Sequence, residues 1–138
     1  MTSHAVSTAV IGAGDWGKNH VRKFHELGSL KAIAETNPET IRKMKDEFGV
    51  ETRPYEEIIS DPAIDAIVLA TPAITHKDLA LKAIAKGKHL FIEKPIALTH
   101  KEALEITNAA NQKGVILMVG HLLQYHPSFM MMKQLVQN

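Results

Sequence analysis

The chain has 138 residues, 45% hydrophobic and 22% charged, the make-up of one soluble globular domain with enough apolar side chain to bury a core. Its formal charge is only +1 and its lysines are scattered along predicted helices, which gives no electrostatic ground for a nucleic-acid partner. With no cysteine there is no disulfide framework and no thiolate metal site, and with no basic leader and no apolar run near the ~20 residues that span a bilayer, a cytoplasmic protein without a membrane partner is expected.

Short β-branched runs alternate with stretches of helical periodicity, the pattern of a parallel sheet wrapped by helices. The first run, Ala5 to Ile11, leads into Gly12-Ala13-Gly14-Asp15-Trp16-Gly17, after which Val21, Phe24 and Leu27 recur on one helical face. A glycine motif between strand and helix is a candidate phosphate-binding turn. Its first Gly permits the tight turn, the second lets backbone approach a pyrophosphate, and the third lets the helix pack closely on the strand. The helix N-terminus adds free N–H donors and a favourable dipole. Gly12-x4-Gly17-Lys18 also approaches the P-loop pattern, but Asn19 stands where a Ser or Thr would ligate magnesium, and no strand ends in a second aspartate ligand. Lys18 then reads as a solvated residue.

The second run, Leu30 to Ala34, ends at Glu35, where a carboxylate can accept hydrogen bonds from the ribose hydroxyls of NAD. Its other reading is a solvated carboxylate at a strand end. Its charge disfavours a 2′-phosphate, and Thr36 and Asn37 bring no arginine to receive one, so NAD is expected over NADP. Asn37-Pro38 opens a second helix with Ile41, Met44 and Phe48 inward, and Gly49 closes it. A short strand is expected near Val50 to Thr52 and a fourth from Ala66 to Ala70, followed by Thr71-Pro72. Thr75 with Asp78 resembles a capping box for the next helix, which faces inward through Leu79 and Ala83 and stops at Gly87. His76 begins that helix, where a histidine in a first turn is ordinarily a surface residue. A strand from His89 to Ile92 leads to Glu93-Lys94-Pro95. Thr99 with Glu102 caps a helix whose core stripe is Ala103, Ile106 and Ala110; Gly114 stops it, and a last strand, Val115 to Val119, leads to Gly120-His121.

Right-handed βαβ crossovers arrange six such strands most simply in the doubly wound order 3-2-1-4-5-6. The segments starting at Gly12, Glu35, Thr71, Glu93 and Gly120 then share the carboxyl edge of the sheet, where open α/β folds bind ligands. Gly28-Ser29, Asp61-Pro62 and Gly87-Lys88 lie at the opposite edge as connectors.

At the binding edge, Thr71-Pro72 borders the first strand, and the proline ring can pack on a ribose or base; a simple strand terminator is the alternative. Glu93 and Lys94 set an acid and a base beside the expected nicotinamide position, where a lysine can donate to a substrate hydroxyl or developing carbonyl. Taken as a bare tripeptide, Glu93-Lys94-Pro95 is a solvated turn. His121, Gln124, Tyr125 and His126 can line a substrate pocket or form a Pro-terminated connector with partly buried aromatics. No zinc-binding histidine spacing occurs, and no metal is expected.

Together these motifs resemble the Gfo/Idh/MocA family of NAD(P)-dependent oxidoreductases: the glycine turn, Glu35, Thr71-Pro72 with His76, Glu93-Lys94-Pro95-Ile96-Ala97-Leu98-Thr99, and Gly120-His121 leading to Tyr125-His126-Pro127. Trp16-Gly17-Lys18-Asn19-His20 and the segment from His121 to Pro127 look most like members acting on nucleotide-linked amino sugars or uronic acids. The resemblance implies that Gly12, Gly14, Asp15, Trp16 and Gly17 hold the pyrophosphate and Glu35 the adenosine ribose. Thr71, Pro72, His76, Glu93 and Lys94 then border the cofactor, with Lys94 the catalytic residue. It also implies a cis bond before Pro95, a sugar or nucleotide-sugar substrate, and a homo-oligomer in the full-length parent.

Members of that family carry a C-terminal α/β substrate domain. On this reading residues 1–123 are the Rossmann domain and 124–138 begin a connector helix to that second domain, and this chain alone binds cofactor without turnover. The apolar run Phe129-Met130-Met131-Met132 with Leu135 and Val136 calls for burial that the chain itself does not provide. Two other readings are an NAD(H)-binding module or redox sensor without turnover, and a coenzyme-A or adenylate binder on the same fold.

Overall fold

A computed structural model describes residues 6–137. Six parallel strands form one sheet in the order β3-β2-β1-β4-β5-β6, as the crossover rule requires. The strands are β1 (Thr8–Ile11), β2 (Leu30–Ala34), β3 (Glu51–Thr52), β4 (Ala66–Leu69), β5 (His89–Ile92) and β6 (Leu117–Val119). The helices are α1 (Gly17–Glu26), α2 (Pro38–Phe48), α3 (Tyr55–Ser60), α4 (His76–Ala85), α5 (His100–Lys113) and α6 (Pro127–Gln137). Ala5, where the first expected run starts, lies outside the described residues.

Alternation along the strands divides the core between the two faces of the sheet. Ala9, Ile11, Ile67, Leu69 and Ile92 bury against Ile58, Ile59, Ala80, Ile84 and Ile106 of α3, α4 and α5. Val10, Ile33 and Val68 bury on the other face against Val21 of α1 and Met44 of α2. Burial on both faces is why the strands read as continuous apolar runs.

Strand register places the functional segments. Ile11 pairs with Ala34 on one side and Leu69 on the other, Leu69 pairs with Ile92, and Ile92 with Val119. These five residues form one row across the sheet, so the segments that follow them leave the same edge side by side.

Several local expectations need correction. Thr75 makes no cap: its hydroxyl donates to the Pro72 carbonyl and meets the Thr71 hydroxyl, because residues 73–75 form a tight 3-10 turn before α4. His76 is buried, not a surface residue. Leu27 lies past the end of α1 and is exposed. β6 starts two residues later than expected, because the Val115 N–H closes the end of α5 on Ala110 and the Ile116 N–H donates to His89 Nδ1. By contrast, Asn37 caps α2 through Glu39 and Thr40, Thr99 and Glu102 complete a reciprocal capping box, and Gly49 and Gly114 take left-handed backbone at helix ends.

Candidate active site

The glycine turn owes its shape to two backbone contacts. Gly12 has φ +85° and sits so close to β4 that a Cβ there would be 2.9 Å from the Ala70 carbonyl oxygen. A Cβ on Gly17 would lie 2.0 Å from the Gly12 carbonyl oxygen, so only glycine lets α1 begin where it does. Gly14 differs: no atom lies within 4 Å of a Cβ placed on it, and it lines an open cleft. Backbone that is bare on its cleft side and leads into a helix N-terminus is what a pyrophosphate requires.

That cleft, 730 Å³ in volume, runs from Gly12 and Gly14 past Glu35 to Thr71 and Pro72, with Tyr55 and Leu79 in its wall. Glu35 Oε2 accepts the Ala13 N–H at 2.7 Å, and Oε1 accepts those of Thr36 at 2.7 Å and Asn37 at 3.0 Å. Partial burial pushes this carboxyl up, but the Asn37, Ala13 and Thr36 donors outweigh it and hold Glu35 below the ordinary carboxylate range. An ionised acceptor is thus fixed beside the glycine turn. Burial, with the charge of Glu56 adding to it, pushes the Tyr55 phenol above its ordinary range, so the ring stays neutral and donates to the Leu79 carbonyl.

Arg53 also lines this cleft; it was not anticipated, although its place directly after the short third strand was the available signal. The absence of an arginine near Glu35 therefore holds for the adjoining residues and not for the cleft as a whole. Its guanidinium is committed to Asp61 across 2.7 Å, and the same Asp61 was expected to be a plain connector.

A second cleft, of 590 Å³, opens between Trp16, the Glu93-Lys94-Pro95 loop and the segment from Gly120 to Gln124, with Phe129 from α6. Thr71, Trp16, Glu93 and Lys94 together line the space that joins the two clefts. The Lys94–Pro95 bond is cis, in keeping with the resemblance. Glu93 Oε1 accepts from the Trp16 indole at 2.8 Å and meets His20 Nε2 at 2.7 Å. His20 was not anticipated as a site residue. Its place four residues after Trp16 on α1 was the available signal, since that spacing puts both on one helix face.

His76 stands behind the wall and not in it. It is 1% exposed, with Nδ1 2.9 Å from the Pro95 carbonyl and Nε2 2.9 Å from the Thr71 carbonyl. It therefore ties the two loops together from below; a neutral ring donates to one of these carbonyls and an imidazolium to both. Asp15 is exposed at the turn. His121, Gln124, Tyr125 and His126 are all exposed, so the partly buried aromatics of the connector reading are not found; of the four, His121 and Gln124 line the second cleft. No residue of α6 is buried, and Met131, Leu135 and Val136 are more than half exposed. Among the described residues no helix is long and apolar enough to cross a membrane.

The chain is 33% identical to the scyllo-inositol 2-dehydrogenase (NAD(+)) of Bacillus subtilis over 91% of its own length and 38% of that protein's. It is 29% identical to the UDP-N-acetylglucosamine 3-dehydrogenase of Acidithiobacillus ferrooxidans, over 92% of this chain and 40% of that protein. Among solved structures it is similar to the biliverdin reductase of Synechocystis sp. PCC 6803 in complex with biliverdin and NADP+. The TM-score is 0.89 at 26% identity, covering 97% of this chain and 43% of that one. The chain thus spans about 40% of the length of the curated relatives it matches. The family model for the oxidoreductase family with NAD-binding Rossmann fold matches residues 6–121, which takes in the glycine turn, Glu35 and the Glu93-Lys94 loop: the chain belongs to the Gfo/Idh/MocA family.

Proposed function

We propose that residues 1–123 bind NAD(H) for an oxidoreductase that acts on a hydroxyl-bearing carbon of a sugar or polyol, a nucleotide-linked sugar being the favoured substrate. Residues 124–138 then lead toward a substrate domain. The observation that carries this reading is the alignment along one sheet edge of an open glycine turn, an ionised Glu35 and a Lys94 ammonium with no partner among the described residues. The dinucleotide fits this edge because Gly14 leaves its cleft side bare and Glu35 is held as an acceptor one strand away.

When bound, the cofactor supplies hydride acceptance or donation at the nicotinamide ring. The chain supplies the rest. Backbone N–H groups of the glycine turn and the α1 N-terminus hold the pyrophosphate, and Glu35 accepts from the adenosine ribose. Thr71 and Pro72 pack along the middle of the dinucleotide. Lys94 as its amine takes the proton of the substrate hydroxyl while that carbon gives up hydride, and as the ammonium it returns the proton to the carbonyl oxygen in the reverse direction. His121 and Gln124 face the substrate from the second cleft.

NAD is favoured over NADP because the Glu35 carboxylate repels a 2′-phosphate and the Arg53 guanidinium is already paired with Asp61. This chain alone binds cofactor and does not turn over, since His121 and Gln124, which would face the sugar, are exposed. Inositols and UDP-N-acetylglucosamine, tested on the chain joined to its substrate domain, should yield reduced nicotinamide with at least one of them. Turnover of neither sugars nor polyols, in a protein that binds NAD+, would overturn the substrate assignment and leave an NAD-binding module.

A further inference from the structure

Glu93 and Lys94 are adjacent and of opposite charge, yet they do not pair. Both carboxylate oxygens are taken: Oε1 by the Trp16 indole N–H and by His20 Nε2, and Oε2 by the Lys94 backbone N–H at 3.2 Å. Among the described residues the Lys94 ammonium has no hydrogen-bond or ion-pair partner. The Glu93 arrangement is built into the fold. His20 is held edge-on to Phe91, ring centroids 5.2 Å apart, and beside Phe24 at 6.5 Å. The His20 and Glu93 side chains are only 16% and 13% exposed. Gly120 makes room, since a Cβ there would stand 3.1 Å from Glu93 Oε1 and from the Phe91 ring.

We propose that His20 is a positioning residue which, with Trp16, holds the Glu93 carboxylate against α1 and so keeps the Lys94 ammonium unpaired at the reacting end of the cleft. His20 Nε2 donates this bond in its Nε2–H tautomer and as an imidazolium alike. The clamp also links the phosphate turn to the lysine loop, because Trp16 belongs to the turn and Glu93 precedes Lys94. Its geometry stands by itself; its meaning for catalysis rests on the assignment of Lys94 given above.

The test is trace acetylation of the 138-residue chain at one fixed pH, with the Lys94 rate read by mass spectrometry against exposed Lys101 in the same sample. His20→Phe keeps a ring against Phe91 and removes the donor; the released carboxylate then pairs with Lys94 and slows its labelling by about threefold or more. Trp16→Phe, at an exposed position, should slow it in the same direction. His20→Gln, which retains a donor, should stay within about twofold of the parent. Adding Glu93→Gln to His20→Phe should restore the parent rate, which a merely structural disturbance would not do. Unchanged Lys94 labelling in both His20→Phe and Trp16→Phe, or no recovery in the double variant, overturns the proposal. Repeating the labelling of the parent chain with saturating NAD+ tests the underlying reading separately. Protection of Lys94 supports its place at the reacting end, and a lack of protection overturns that assignment while leaving the clamp to the variant series.

Discussion

The three glycines of the turn should fail in three different ways when each is changed to alanine. At Gly17 the added Cβ would lie 2.0 Å from the Gly12 carbonyl oxygen and 2.8 Å from its carbon, so backbone must move by more than an ångström. Overpacking of a yielding core costs about 1–3 kcal/mol, and a clash with main chain belongs at or beyond the top of that range, about 3 kcal/mol or more. At Gly12 the left-handed φ of +85° costs about 1–2 kcal/mol for any L side chain, and contacts of 2.9 Å to the Ala70 oxygen and 3.0 Å to Thr71 Cγ2 add to it. Gly14 has neither problem, so Gly14→Ala should leave stability unchanged or raise it by up to about 1 kcal/mol through the unfolded chain. Its methyl would nonetheless occupy the bare surface that the pyrophosphate needs, lowering NAD+ affinity about tenfold or more, roughly 1.4 kcal/mol. Urea unfolding followed by far-ultraviolet circular dichroism reads the first quantity and calorimetric titration the second. A Gly14→Ala chain that is destabilised like Gly17→Ala, or that binds NAD+ as tightly as the parent, would refute the argument.

Other substitutions probe the remaining parts of the edge. Glu35 is held below its ordinary value of 4.5, so it stabilises the fold above that pH, and the contribution is lost as pH falls through the lower folded value. The stability difference between parent and Glu35→Gln should therefore be present at pH 7 and shrink as pH falls below 4.5; a difference that does not change with pH would contradict the donor set described. His76→Phe removes the ring contacts to the partly buried carbonyls of Thr71 and Pro95 and should cost about 1 kcal/mol or more in urea unfolding, with weaker NAD+ binding alongside; a neutral effect would mean the two contacts carry no weight. Lys94→Ala, in the protein carrying both this chain and a substrate domain, should lower kcat by about a hundredfold with little change in NAD+ affinity, and unchanged turnover would reduce Lys94 to a turn residue.

Much of the fold could be read from the chain because its signals are local and redundant. The strand runs buried on two faces are mostly apolar, and Asn37, Gly49, Thr99 and Gly114 mark helix ends with side chains or backbone that do the capping themselves. α3 escaped notice because it spans only Tyr55–Ser60, follows Pro54 and has no side-chain cap. Thr75 misled because a hydroxyl followed three residues later by an acid fits a capping box, while the 3-10 turn turns that hydroxyl back to Pro72.

At the site, residues that immediately follow strands were legible, since position along the strand fixes the edge at which they emerge. Residues that reach the site across the fold were not. His20 comes from α1 to Glu93 on the far side of β4, and the strand order brings the two together; Arg53, directly after β3, stood at the legible edge and was passed over because that strand is only two residues long. His76 carried an ordinary surface signal, and its burial follows from the packing of α4 under two loops distant in sequence.

The central claim is a dinucleotide site with Glu35 at its ribose end. A calorimetric titration of this chain with NAD+ and then NADP+, with Trp16 fluorescence recorded in parallel, tests it most directly, because Trp16 is the chain's only tryptophan and lies in the turn. Saturable binding of NAD+, several-fold tighter than NADP+ and accompanied by a change in Trp16 emission, is the expected result. Equal binding of the two cofactors would contradict the role given to Glu35, and no binding of either by a folded chain would contradict the site itself.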